Sequence, residues 1–201
     1  HPAVLGSIAW LKSQGFSSTQ VGVDGQGRVD PDALGQAMTD ETVLVCLPHA
    51  NHDLGTVQPV AEVAELTGTR GIPLFVDATA NGGWLPIDVQ QLGADLLALA
   101  PHRFYGPKGV GVLYKNRRAR VEKLLHGGMQ ENEFRAGTEN VAAIAGGGVA
   151  AEHAKAALGQ RAAHAAKLQV RLLEGIRQAV EGVHLNGPEP GDERLPHQLN
   201  L

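Results

Sequence analysis

Three short stretches carry the residue types that do chemistry. Asp77 directly follows the apolar run Leu74-Phe75-Val76, which sets a carboxylate at the edge of a low-dielectric strand, where it needs a partner. Two kinds of partner suit it: the backbone donors of the next turn, which a short Asp satisfies readily, or a cation such as a protonated ring nitrogen or an arginine. In Ala100-Pro101-His102-Arg103-Phe104-Tyr105-Gly106-Pro107-Lys108-Gly109, His102 and Arg103 either form an anion-binding corner, since Arg presents a rigid fork of donors, or are ordinary loop residues. His49-Ala50-Asn51-His52-Asp53 has the composition of a metal cluster. Adjacent residues on an extended segment point to opposite faces, however, and no other His/Cys spacing supports a ligand set, so no metal is expected.

These residues fall where alternating strands and helices end. Val4, Leu5, Ile8 and Leu11 recur at helical spacing from Pro2, and Gly15 supplies a stop. Gln20 to Val23 reads as a short strand, Asp24 to Arg28 as a turn, and Asp30-Pro31 as an N-cap followed by proline in the first turn of a helix reaching about Met38. Thr42 to Leu47 is a continuous apolar run of strand length, as in a parallel sheet covered on both faces, which predicts that Cys46 sits in the core. A helix over Pro59 to Thr69 and a strand over Ile72 to Val76 repeat the unit. Leu96 to Leu99 and Gly109 to Tyr114 add two strands. The alternation predicts an α/β fold with a mostly parallel sheet, whose ligands bind outside the carboxyl ends of the strands.

Beyond Thr138 an Ala-rich segment runs from about Glu139 to Glu181, with Leu158, Ala162, Ala165, Leu168, Leu172, Ile176 and Val180 at steps of three and four. That spacing predicts one apolar stripe on a long helix. Gly146, Gly147 and Gly148 mark a bend or a close approach. Gly182 ends the helix, and Val183-His184-Leu185 reads as the start of a new strand.

The composition narrows the function classes. A net charge of -4 leaves no basic excess for nucleic acid or an anionic membrane surface, and no apolar run approaches the roughly 20 residues that span a bilayer. Cys46 is the only cysteine, so the chain has neither an intrachain disulfide framework nor a Cys-based zinc site, and a reducing, cytoplasmic setting is expected.

The order of motifs resembles a known family. His-x-Ala-Val-Leu at 1–5, His-x-Asn-x-Asp-x-Gly at 49–55, Val-Asp-Ala-Thr at 76–79, Pro-Ile-Asp at 86–88, His-Arg-Phe-Tyr-Gly-Pro-Lys-Gly-Val-Gly at 102–111, and His-Gly-Gly through Arg-x-Gly-Thr-x-Asn at 126–140 together resemble the NifS-type cysteine desulfurases. These belong to the class V aminotransferase group of pyridoxal 5'-phosphate (PLP) enzymes. The resemblance implies a fold type I large domain with a mostly parallel sheet over 1–140, a connecting helix over 141–182, and the beginning of a small C-terminal domain over 183–201. It also implies that the chain is an interior segment of one about twice as long. Asp77 matches the residue that keeps the cofactor's pyridine nitrogen protonated, so that the ring works as an electron sink. His1 matches the histidine that stacks on the ring and takes part in proton transfer. His102 matches a phosphate-side ligand, and Thr138 a residue that reaches the phosphate of the neighbouring subunit. A dimer is implied, as a homodimer or with a related subunit, together with a sulfur-acceptor protein.

Several family positions have changed. Arg103 stands where the family carries its Schiff-base lysine, and a guanidinium, effectively always protonated, supplies no neutral amine. His52 replaces an asparagine near the ring hydroxyl, Ala80 a glutamine that assists it, and Ala100 a phosphate-binding serine. Lys108 is no substitute, because active members carry a lysine there as well. Nor does Cys46 replace the family's persulfide-forming cysteine, since a thiol in a buried strand is inert. The expectation is a desulfurase-like protein without covalent PLP chemistry, acting as a non-catalytic or partner subunit in sulfur transfer or biosynthesis. The alternative is an active desulfurase or selenocysteine lyase, converting L-cysteine to L-alanine plus persulfide sulfur at an unusual site.

Overall fold

The computed structural model describes residues 1–201. Four α-helices and four strands occur in the order α1 (Pro2–Ser13), α2 (Pro31–Ala37), β1 (Val45–Pro48), α3 (Val60–Thr69), β2 (Leu74–Asp77), β3 (Leu96–Leu99), β4 (Val112–Lys115) and α4 (Val141–Ala179). The strands form one sheet in sequence order; β1, β2 and β3 are parallel, and β4 pairs antiparallel with β3. This is the expected α/β architecture with a mostly parallel sheet.

Local rules account for the helix starts. Asp30 accepts from the Asp32 amide at 2.9 Å while Pro31 occupies the first turn, so an otherwise orphaned donor is satisfied where proline needs none. α1 ends two residues before Gly15, whose φ of +95° lies in the region that glycine enters at no steric cost.

Side-chain alternation divides the sheet into unequal faces. Val45, Leu47, Leu74, Val76 and Leu97 pack with Leu34 of α2 and with Val60 and Val63 of α3 into the main core. The opposite face carries Cys46, Phe75 and Asp77, all only half-buried. Cys46 therefore lies outside the core predicted for it, because its register places it on this more open face. Two predicted strands are also absent. Gln20 to Val23 contributes only a single bridge between Val23 and Val29, and Val183 to Leu185 forms no strand.

α4 runs unbroken through Gly146, Gly147 and Gly148. A Cβ at Gly147 would stand 3.3 Å from the Pro101 ring and one at Gly146 3.3 Å from Pro107, so these two serve close approach and not a bend, while Gly148 faces open space. The stripe of α4 is rotated from the predicted phase: Gln169 and Leu173 are buried, whereas Leu168 and Leu172 are exposed. Gln169 Nε2 donates to the carbonyls of Leu195 at 2.8 Å and Gln198 at 2.7 Å. The returning C-terminal segment thus selects a polar side chain where apolar periodicity favours leucine.

Candidate functional site

Pro48, Asp77 and Ala98 lie in register at the carboxyl ends of the three parallel strands, where the loops that follow form the floor of the site. Asp77 Oδ1 accepts from the Thr79 backbone N–H at 3.0 Å and from Thr79 Oγ1 at 2.7 Å. This is the local capping role open to a strand-end Asp, yet it occupies only one oxygen. Oδ2 forms no hydrogen bond within the chain and stays available to a cation. Burial, with a smaller push from the Asp77 carboxylate, raises the Cys46 thiol to about 11. Cys46 is therefore a protonated, unreactive thiol at neutral pH.

The loop after β1 brings distant positions together. His1 Nδ1 accepts from the Ala3 amide at 3.1 Å and so caps α1. The His1 ring meets that of His52 edge-on, with centroids 4.6 Å apart and planes at 77°. His52 Nε2 lies 3.3 Å from an Asp53 carboxylate oxygen, and the His52 carbonyl accepts from Gln198 Nε2 at 2.6 Å. His49 is buried, with Nδ1 2.9 Å from Asn81 Nδ2. Burial lowers His49 to about 4, so the ring is neutral and accepts from the amide. No three His, Cys, Asp or Glu side chains converge as metal ligands. Ala80 is buried against Ala50 and Leu195.

Ala100 begins a 3₁₀ turn over Pro101–Phe104, in which the Arg103 amide donates to the Ala100 carbonyl at 2.9 Å. Pro101 and Phe104 are buried and anchor the turn; His102 and Arg103 are exposed. Tyr105 closes it in the left-handed region at φ +68°, and the Gly106 amide donates to the Pro101 carbonyl at 2.8 Å. Neither the His102 nor the Arg103 side chain has a hydrogen-bond partner or an ion pair within the chain. Thr138 stands apart from these residues, exposed in the segment leading into α4.

Trp84, Arg161 and His197 escaped sequence reasoning because no motif or spacing links them, and Tyr105 enters it only as part of its motif. Trp84 stacks on His197 with centroids 4.1 Å apart and planes at 21°. The guanidinium of Arg161, from α4, lies 5.6 Å from the Trp84 ring and 5.0 Å from the Tyr105 ring, and its Nη1 donates to the Gly83 carbonyl at 3.3 Å. Burial first, and then the charge of Arg103, lower His197 to about 4. Its Nδ1 is buried without a partner.

PLP fits this donor set only in part. Asp77 Oδ2 can accept from a protonated ring nitrogen, and the His1 and His52 rings lie edge-on to each other. By motif resemblance Arg103 takes the lysine position with no neutral amine, and the methyls of Ala80 and Ala100 offer no hydrogen bond. A guanidinium at 103 supplies no amine for a covalent bond to the cofactor.

Comparison with known proteins agrees with the motif order. Residues 1–198 match the family model for class-V aminotransferases. The cysteine desulfurase IscS of Methanosarcina thermophila is 43% identical over 201 residues, covering 100% of this chain and 49% of its own, and that of Dictyoglomus turgidum is 40% identical, covering 100% and 50%. Among solved structures, a NifS-like protein superposes with a TM-score of 0.92 at 34% identity, covering 98% of this chain and 53% of its own. DndA from Streptomyces lividans gives 0.90 at 33%, covering 99% and 56%. The chain spans about half the length of the curated relatives it matches. With the family model matched over nearly the whole chain and the fold superposing on a NifS-like protein, the chain belongs to the class-V aminotransferase family, as a homologue of its PLP-dependent IscS and NifS-like cysteine desulfurases.

Proposed function

We propose that this chain is a degenerate cysteine-desulfurase-like subunit that does not hold PLP covalently and serves sulfur transfer or biosynthesis as a non-catalytic partner. The observation that carries this reading is Arg103 in the His-x-Phe-Tyr-Gly-Pro motif, where a permanently protonated guanidinium replaces the nucleophilic amine. Ala80 and Ala100, which present methyl groups at two further cofactor positions, support it, as does a Cys46 thiol that burial raises to about 11 and so keeps protonated at neutral pH. Exposed Thr138, free of hydrogen bonds within the chain, suits a contact across a subunit boundary, and dimerisation with itself or a related subunit in the cytoplasm completes the reading. Asp77 keeps a ring-nitrogen partner in place, so non-covalent association with PLP is compatible with it.

The test mixes the purified full chain with PLP, reduces with borohydride and measures intact mass. No adduct is expected, and Arg103→Lys alone is expected to restore little desulfuration, because Ala80 and Ala100 remain. A yellow wild-type protein carrying a reducible adduct, with alanine released from L-cysteine, would establish the active-enzyme reading instead.

A further inference from the structure

Arg161 is half-buried, yet it has no carboxylate partner, and only its Nη1 is used, on the Gly83 carbonyl at 3.3 Å. Its Nε and Nη2 form no hydrogen bond within the chain. A half-buried guanidinium with open donors is costly unless an anion completes it. The surroundings are closely packed. Gly83 has φ +74°, and a Cβ there would stand 2.8 Å from Phe104 Cβ and 2.9 Å from Arg161 Nη1, so the turn before Trp84 is pressed onto both. Trp84 stacks on His197 at 4.1 Å, and Tyr105, 79% exposed, flanks Arg161 at 5.0 Å. Arg103 lies two residues before Tyr105 in the same turn, also unpaired. Burial is the main cause of the low proton affinity of His197, and the charge of Arg103 adds to it, so Arg103 acts within electrostatic reach of the stack. His197 Nδ1 is itself a buried polar atom without a partner.

We propose that Arg161 and Arg103, grouped around the Trp84–His197 stack, form a receptor for a small oxyanion-bearing molecule. Guanidinium forks suit carboxylate and phosphate oxygens alike. The exposed Tyr105 face gives the molecule's apolar part a surface to lie on. This deepens the non-covalent reading above and rests on it: with Arg at position 103, the site keeps recognition of an anion in place of bond formation.

The test follows the His197 imidazole nitrogens by NMR while inorganic phosphate, or separately acetate, is added to the full chain. A saturable shift is expected. Arg161→Gln and Arg103→Gln are each expected to weaken it about tenfold, the scale of one lost charge-assisted hydrogen bond. Arg177→Gln, which alters only a surface pair with Glu189, is expected to leave it unchanged. Tighter binding of phosphate assigns a phosphate-bearing ligand; acetate binding as tight or tighter assigns a carboxylate-bearing one. Arg103 is exposed, so its variant stays informative if Arg161→Gln misfolds. The proposal is overturned if neither anion gives a saturable shift, or if the shift is indifferent to Arg103→Gln. Failure here leaves the adduct-free mass result standing, whereas a reducible PLP adduct removes the non-covalent reading independently of these titrations.

Discussion

His49 Nδ1 and Asn81 Nδ2 meet at 2.9 Å, joining the loop after β1 to the loop after β2 beneath the site. Because Nδ2 can only donate, the imidazole is the acceptor and has to be neutral there. Burial agrees, holding His49 at about 4 against an ordinary 6.5.

A pH dependence of folding follows from this pair. The depressed folded-state value means that the unfolded chain takes up the proton first as pH falls below 6.5, so stability is full above that point and is lost down to about 4. The loss traceable to His49 is about 3 kcal/mol at most; His197 adds in the same direction but less, being more exposed and better screened. Denaturant midpoints measured between pH 7 and 4 are expected to fall, and His49→Gln, which still offers Asn81 an acceptor, is expected to flatten the slope.

Thr79 holds Asp77 through both its amide and its hydroxyl. Thr79→Val keeps the shape and the amide bond but removes the 2.7 Å hydroxyl contact, for an expected loss of about 1–2 kcal/mol by chemical denaturation. Thr79→Ser, which retains the hydroxyl, is expected to recover most of that loss.

Arg194 is among the most buried side chains, at 1% exposure, and donates to the carbonyls of Pro188, Asn186 and Gln198. Arg194→Met is expected to destabilise by about 3 kcal/mol, since the Pro188 and Asn186 carbonyls lose their side-chain donor and the Gln198 carbonyl keeps only that of Gln169. Limited proteolysis is expected to cut first between Asn186 and Gln198. Lys at this position is not expected to rescue, because a single ammonium cannot span the geometry of the guanidinium fork.

Gly83→Ala places a methyl 2.8 Å from Phe104 Cβ on a backbone with φ +74°. Strain and overpacking add, for an expected cost of about 2–3 kcal/mol. Tryptophan fluorescence is expected to report displacement of Trp84 from His197, whereas Gly159→Ala, in open space on α4, is expected to be neutral or mildly stabilising.

Short-range rules were legible in the sequence. The Asp30-Pro31 start, the apolar strand cores around Leu47 and Val76 and the carboxylate at the end of β2 follow from neighbouring residues. What tertiary structure alone decided was which face each side chain took and which distant residues met. Cys46 lies on the open face because a strand's alternation is fixed by its partners, and α4 buries Gln169 instead of Leu168 because two carbonyls of the returning tail require a donor. Trp84, Tyr105, Arg161 and His197 come from separate parts of the chain, and no local period records their meeting. Caps and propensities act over a few residues, whereas burial and hydrogen-bond satisfaction are settled only when the whole chain has closed on itself.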